Sequence, residues 1–282
     1  MRLGIFAKTF PGTDPHVVLA SVREAGFSAA QYNMACSGLP AMPDAVSPTE
    51  AERVASAARA AGVGLVALSG TYNMIHPDPA RREEGHRRLE ALAAAAPALG
   101  TRLVTLCTGT RDPDDQWRGH ADNGSPEAWR DLLRSMETAL AIAERHEIDL
   151  GIEPELANVV DGAAKARRLI DELGSPRLRI VLDPANLFEI ASAEEQRRLV
   201  SEAVDLLGDR IAMGHAKDRA PDGAFVAAGK GVLDYPHYLR CLGAIGFRGA
   251  LVTHGLEAAE APGVARFLRA QLAEAGLVEQ NA

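Results

Sequence analysis

Three apolar, strand-like runs in this chain each end on a side chain able to bind a divalent metal. Leu150-Gly151-Ile152 leads into Glu153, Ile180-Val181-Leu182 into Asp183, and Ile211-Ala212-Met213-Gly214 into His215. A fourth run, Ala250-Leu251-Val252-Thr253, leads into His254. Carboxylates and imidazoles at equivalent strand ends converge only where the strands lie parallel and side by side, so the pattern constrains architecture and chemistry together. Any one of these residues alone is as well read as a separately satisfied strand end. Three on consecutive strands share one rim, and ionised groups beside a buried strand are costly unless paired. A Glu, Asp, His set suits a hard or borderline divalent ion, and the expectation is one Mn²⁺, with Mg²⁺, Co²⁺ or Zn²⁺ as alternatives.

The rest of the chain is punctuated at regular intervals. Helical stretches close on glycine and a short β-like run follows, at Gly26, Gly62, Gly100, Gly174, Gly208 and Gly246. Glycine just past a helix adopts the left-handed conformation without a steric cost. Ser47-Pro48-Thr49-Glu50 and Ser192-Ala193-Glu194-Glu195 have capping-box spacing, and Ser125-Pro126 puts proline in a first turn. Strands are expected at Leu3–Phe6, Ala29–Tyr32, Leu65–Leu68, Leu103–Leu106, Asp149–Glu153, Leu178–Asp183, Ile211–His215 and Ala250–Thr253. Helices between them include Ala51–Ala61, Arg81–Leu99, Ala128–His146, Ala163–Leu173 and Glu194–Leu207. Eight short strands, apolar on both faces and alternating with helices, predict an α/β fold, a (β/α)₈ TIM barrel forming a single domain over residues 1–282. An open doubly wound sheet is the runner-up, weakened because no Gly-rich dinucleotide fingerprint follows the first strand. The strand-to-helix connections are long at Asn33–Ser47, Gly70–Pro79, Gly109–Ser125 and Ala216–Asp234. In a barrel these share the C-terminal face, where the four strand-end residues also point.

Composition narrows the function. With 38 acidic against 30 basic residues the formal net charge is -8, which gives no basic footprint for nucleic acid. Three scattered cysteines, Cys36, Cys107 and Cys241, suit neither a disulfide framework nor a cysteine-based zinc site. No apolar run reaches the roughly 20 residues of a membrane span, and no signal-peptide core follows Met1. A cytoplasmic protein without membrane or nucleic-acid partners is expected, and a homo-oligomer is left open.

Gly-Ile-Glu-Pro-Glu around Glu153, Val-Leu-Asp-Pro-Ala-Asn around Asp183 and Gly-His-Ala-Lys-Asp around His215 resemble the metal-site motifs of the xylose-isomerase-like TIM-barrel superfamily. Ala228-Gly229-Lys230-Gly231 lies where that resemblance expects it, after strand seven. The superfamily includes sugar-phosphate isomerases and epimerases, ketose 3-epimerases, hydroxypyruvate isomerase, inosose dehydratase and endonuclease IV. The resemblance implies a metal-dependent isomerase or epimerase acting on a carbohydrate by proton abstraction α to a carbonyl, through a metal-stabilised enediolate. It implies that Glu153 is ligand and acid/base, with Asp183 and His215 as ligands. Such enzymes usually place a second glutamate at the end of strand eight, where this chain has His254, a fourth ligand or a base. That departure keeps a dehydratase or lyase on a keto-sugar or keto-glycoside as the alternative, with Glu155 able to supply the missing carboxylate or to bind substrate. An endonuclease IV-like activity needs more histidines and a basic groove.

Lys217, directly beyond His215, is a candidate for stabilising an oxyanion or moving a proton, or else forms a structural salt bridge. Asn186, one turn past Asp183, is a candidate to bind substrate or to support the metal ligands. Arg111, His120 and Asn123 on the fourth loop, and Asn73 and His76 on the third, are candidate contacts to sugar hydroxyls or a phosphate, with Trp117 stacking on a sugar face. His16, His86, His146 and His237 lie in helical stretches and are assigned no role.

Overall fold

Hydrogen bonding between the first and last long strands closes the sheet, which excludes the open doubly wound alternative. The computed structural model describes residues 1–280, so the last two residues of the expected 1–282 domain lie outside the described residues. The strands are β1 (Arg2–Phe6), β2 (Ala29–Tyr32), β3 (Gly64–Ser69), β4 (Leu103–Cys107), β5 (Asp149–Glu153), β6 (Leu178–Leu182) and β7 (Ile211–Ala216). Two short strands follow, β8 (Asp218–Arg219) and β9 (Phe225–Val226), then β10 (Ala250–Thr253). The barrel runs β1-β10-β7-β6-β5-β4-β3-β2, all parallel, while β8 and β9 form a separate antiparallel hairpin. Around it lie α1 (Pro15–Glu24), α2 (Pro48–Ala61), α3 (Pro79–Ala95), α4 (Pro126–Arg145), α5 (Ala163–Leu173), α6 (Ala193–Leu207), α7 (Tyr235–Ala244) and α8 (Ala261–Glu274). This is a single TIM-barrel domain. No helix among the described residues is long and apolar enough to cross a membrane.

Apolar side chains pointing inward from the strands form a small core of Ala67, Val181, Met213, Ala250 and Val252 inside the barrel. Gly151 keeps its neighbours close, since a Cβ there would come within 2.9 Å of Val181. The larger core fills the layer between strands and helices. Helix starts follow the expected serines: Ser47 Oγ accepts from Glu50 N, Ser125 Oγ from Ala128 N and Ser192 Oγ from Glu195 N, at 3.1, 3.1 and 3.2 Å. The expected capping boxes form by this half only, because Glu50 and Glu195 turn outward to Arg53 and Arg198. Five of the six helix-ending glycines have positive φ, and Gly208 does not: at φ -55° it extends α6 by a residue. Space favours glycine there, since a Cβ would lie 2.8 Å from the Val204 carbonyl oxygen and 3.1 Å from Ile245. The strand from Leu178 stops one residue short of Asp183, which instead caps a 3₁₀ turn with its Oδ1 on Ala185 N.

Candidate active site

Glu153 ends β5, Asp183 follows β6, His215 lies in β7 and His254 follows β10, so four adjacent strands bring these side chains to the C-terminal mouth of the barrel. One ligand atom from each lies within 4.8 Å of all the others. Donors bound at roughly 2.0–2.2 Å to one ion are at most about 4.4 Å apart, so small side-chain shifts suffice to close the set on a single divalent ion. Two carboxylate oxygens and two imidazole nitrogens fit such an ion.

The surrounding hydrogen bonds orient the donors. His215 Nε2 meets Gln31 Oε1 at 2.9 Å, while the Gln31 amide donates to Ser69 Oγ and Thr105 Oγ1 at 3.1 and 3.0 Å. Those two donations leave Gln31 its carbonyl for His215, which fixes the proton on Nε2. Nδ1 then faces Glu153 Oε1 at 3.2 Å and Asp183 Oδ2 at 4.0 Å. Asn186 donates to Glu153 Oε1 at 2.8 Å and accepts from Lys217 Nζ at 3.0 Å. Lys217 Nζ and His254 Nε2 lie 3.2 and 3.1 Å from Asp183 Oδ2.

These contacts set the protonation states of the metal-free site. Burial disfavours the Asp183 anion, but Lys217, His254 and His215 outweigh it and hold the carboxyl far below its ordinary range. For Glu153 burial is likewise overcome, here by His215, and the carboxyl titrates below its usual value. Burial would neutralise His215, yet Glu153 and then Asp183 raise it above the ordinary imidazole. His254 goes down, through burial and the neighbouring His215. Glu155 is pushed up to about 7 by burial and the Glu153 charge.

The cluster opens into a cavity of about 710 Å³ lined also by Gln31, Glu155, Asn186 and Lys217. Glu155 Oε1 accepts the Cys107 thiol at 3.1 Å. The family described as xylose isomerase-like TIM barrel matches residues 19–274. The chain belongs to that family. Its fold is shared with solved structures of low sequence identity. 3-Keto-D-glucoside 4-epimerase from E. coli, in apo form, is 18% identical, with 97% of this chain and 98% of that one covered at a TM-score of 0.72. D-Psicose 3-epimerase with D-tagatose from Clostridium cellulolyticum H10 is 16% identical, with 99% and 100% covered at 0.73. The IolI protein with a bound zinc atom is 16% identical, with 98% of each chain covered at 0.72. No curated protein matches the sequence.

In this xylose isomerase-like barrel the other expected contacts divide between the cavity and its supports. Glu155, Asn186 and Lys217 line the cavity. Arg111, His120 and His76 do not, and each is engaged elsewhere. Arg111 Nη2 pairs with Asp131 at 2.6 Å and ties the fourth loop to α4. His76 Nε2 meets Pro113 O at 3.0 Å beside a separate hollow, and exposed His120 caps a short turn through Nδ1 on Asp122 N. Asn73 and Asn123 hydrogen-bond the backbone of residues 110 and 111. Asp218 is wholly buried, and its carboxylate accepts Arg219 N, Gly229 N and Leu233 N, so it fastens the β8–β9 hairpin. Gln31 and Phe225 also line the cavity, as does Cys107, and in the sequence only Gln31 carries a signal, an amide amid the apolar residues of β2.

Proposed function

We propose that this chain is a divalent-metal-dependent isomerase or epimerase that moves a proton α to the carbonyl of a sugar or sugar derivative. The observation that carries the reading is the convergence of Glu153, Asp183, His215 and His254, three of which line the cavity directly. The family and the structural neighbours, sugar epimerases among them, support an enzyme with a small carbohydrate substrate. These four residues hold the ion, which when bound supplies Lewis acidity toward a carbonyl and an adjacent hydroxyl. Mn²⁺ is the proposed ion, with Co²⁺ and Zn²⁺ next; two imidazoles in the donor set weigh against Mg²⁺, which prefers oxygen.

Glu153 is the first acid/base. Asn186 holds its Oε1 and so fixes the carboxylate against the cavity. Glu155, two residues past Glu153 in the loop after β5, is the second carboxyl that holds and returns a proton. The Lys217 ammonium, kept between Asp183 and Asn186, stabilises an oxyanion in the cavity. A lyase on the same site is the second reading, favoured by an imidazole rather than a carboxylate at His254.

Metal analysis of the purified protein is expected to find about one divalent ion per chain, lost in Glu153→Gln and His215→Ala together with activity. Full metal content and activity in both variants would falsify the assignment. Incubation with ketoses in D₂O separates the two readings: solvent deuterium at the α carbon marks an isomerase or epimerase, and release of water or an aglycone marks a lyase.

A further inference from the structure

The cavity has two chemically different kinds of lining. Its floor is the metal-capable cluster with Gln31, Asn186 and Lys217, while Trp117, Leu156 and Phe225 line it with side chains 53%, 44% and 51% exposed. Eight large apolar side chains are exposed among the described residues, and these three meet at one cavity. Apolar side chains scattered singly over a surface need no explanation; gathered in the lining of one cavity, they mark a contact.

Phe225 is also held in place. Its ring centroid lies 3.8 Å from Lys217 Nζ and 3.7 Å from Arg219 Cζ. Both cations are themselves anchored, Lys217 on Asp183 and Asn186, Arg219 on the carbonyls of Ala185 and Gly223. The β8–β9 hairpin that carries the ring is fastened by the buried Asp218 carboxylate. With both cations stacked on it, the half-exposed ring offers its edge to the cavity, and an apolar group packing there loses little to ordering the protein. The cavity, about 710 Å³, falls in the range of roughly 300–1,000 Å³ that encloses drug-sized ligands and exceeds what one hexose ring fills.

We propose that the substrate is a sugar derivative carrying an apolar, ring-sized substituent, as in an aryl glycoside, and that Phe225, Trp117 and Leu156 bind that substituent while the sugar end meets the metal cluster. This rests on the carbohydrate reading above and narrows its substrate class.

The test compares phenyl β-D-glucopyranoside with methyl β-D-glucopyranoside by calorimetric titration into Mn²⁺-loaded protein. The phenyl glycoside is expected to bind about tenfold tighter. That ratio should fall toward one in Phe225→Ala and in Trp117→Ala, both of which alter exposed side chains and are checked for folding by their melting curves. A ratio near one in the wild type overturns the proposal, as does a ratio that both variants leave intact, or no binding of either glycoside. A wild-type dimer that dissociates in Phe225→Ala, with no discrimination between the glycosides, also overturns it and assigns the apolar residues to a second copy of the chain. Should the protein take up no metal, the catalytic reading falls by itself, and the ratio measured in the same protein still decides the aromatic site.

Discussion

Gln31 tests whether the barrel wall tunes the metal site or only packs beneath it. Replacing it by leucine keeps the approximate volume and removes three buried hydrogen bonds: the acceptor for His215 Nε2 at 2.9 Å and the donations to Ser69 and Thr105. The Thr105 hydroxyl still donates to Leu68 O at 3.4 Å. The main loss is therefore at His215, whose buried N–H is left without its carbonyl, and the metal-free protein should lose about 1–3 kcal/mol of stability in urea unfolding. The larger consequence is chemical. Without Gln31 the imidazole is free to take the other tautomer, which puts a proton on the Nδ1 that faces Glu153 and Asp183. Loss of such a partner weakens metal binding by about 10–100-fold, or about 1.4–2.8 kcal/mol. Competition against a chromophoric chelator measures this directly. Gln31→Glu, which still accepts from Nε2, should keep affinity near the wild type. Metal affinity in Gln31→Leu within twofold of wild type, alongside the expected loss of stability, would refute the argument and leave Gln31 a packing residue.

Two further outcomes concern proton linkage and packing. Glu155 titrates near 7 in the metal-free protein, above its unfolded value of about 4.5. The folded state therefore holds a proton that the unfolded state releases, and this contribution is complete below about pH 4.5 and lost as the pH rises through about 7. At most about 3 kcal/mol is involved, and the decline seen by urea unfolding of metal-free protein across this window should flatten in Glu155→Gln; parallel pH profiles for the two proteins would count against it. Gly85 lies inside α3, where alanine ordinarily gains about 1 kcal/mol, yet a Cβ there would enter the Tyr72 ring. Gly85→Ala should thus lose about 1–2 kcal/mol net, and a rise in its melting temperature would show that the ring yields freely.

The fold was legible because its signals are local. Apolar strands, serine caps and glycines past helix ends each occupy a few consecutive residues, and apolar runs leading into Glu153, Asp183 and His215 need no knowledge of side-chain direction. The loops were not legible in the same way. Arg111 is claimed by Asp131 on α4 and His76 by the Pro113 carbonyl, partners that no sequence spacing singles out. Gln31 reaches His215 beside a shift in the pairing of β2 with β3 at Ala30 and Gln31, a bulge of the kind that re-aims side chains near sites. Phe225 belongs to a two-residue strand, too short for any alternation to announce it.

His254 joins these levels, because replacing a carboxylate by an imidazole changes the charge of the whole floor. Glu153 and Asp183 together balance one divalent ion. Lys217, anchored on Asp183, then adds a positive charge that a carboxylate at position 254 would have cancelled and a neutral imidazole does not. Glu155 is the next carboxyl along the cavity, and in the metal-free protein burial and the Glu153 charge keep it protonated up to about pH 7. A divalent ion beside Glu153 favours the Glu155 anion. Ion binding and Glu155 ionisation therefore support one another, and by linkage each must strengthen the other by the same factor. A chain with glutamate at position 254 would have its charge balanced without Glu155. On the proposed reading, the histidine would transfer that task to a carboxyl that lines the cavity, which completes the charge balance when ionised and carries a proton only when neutral.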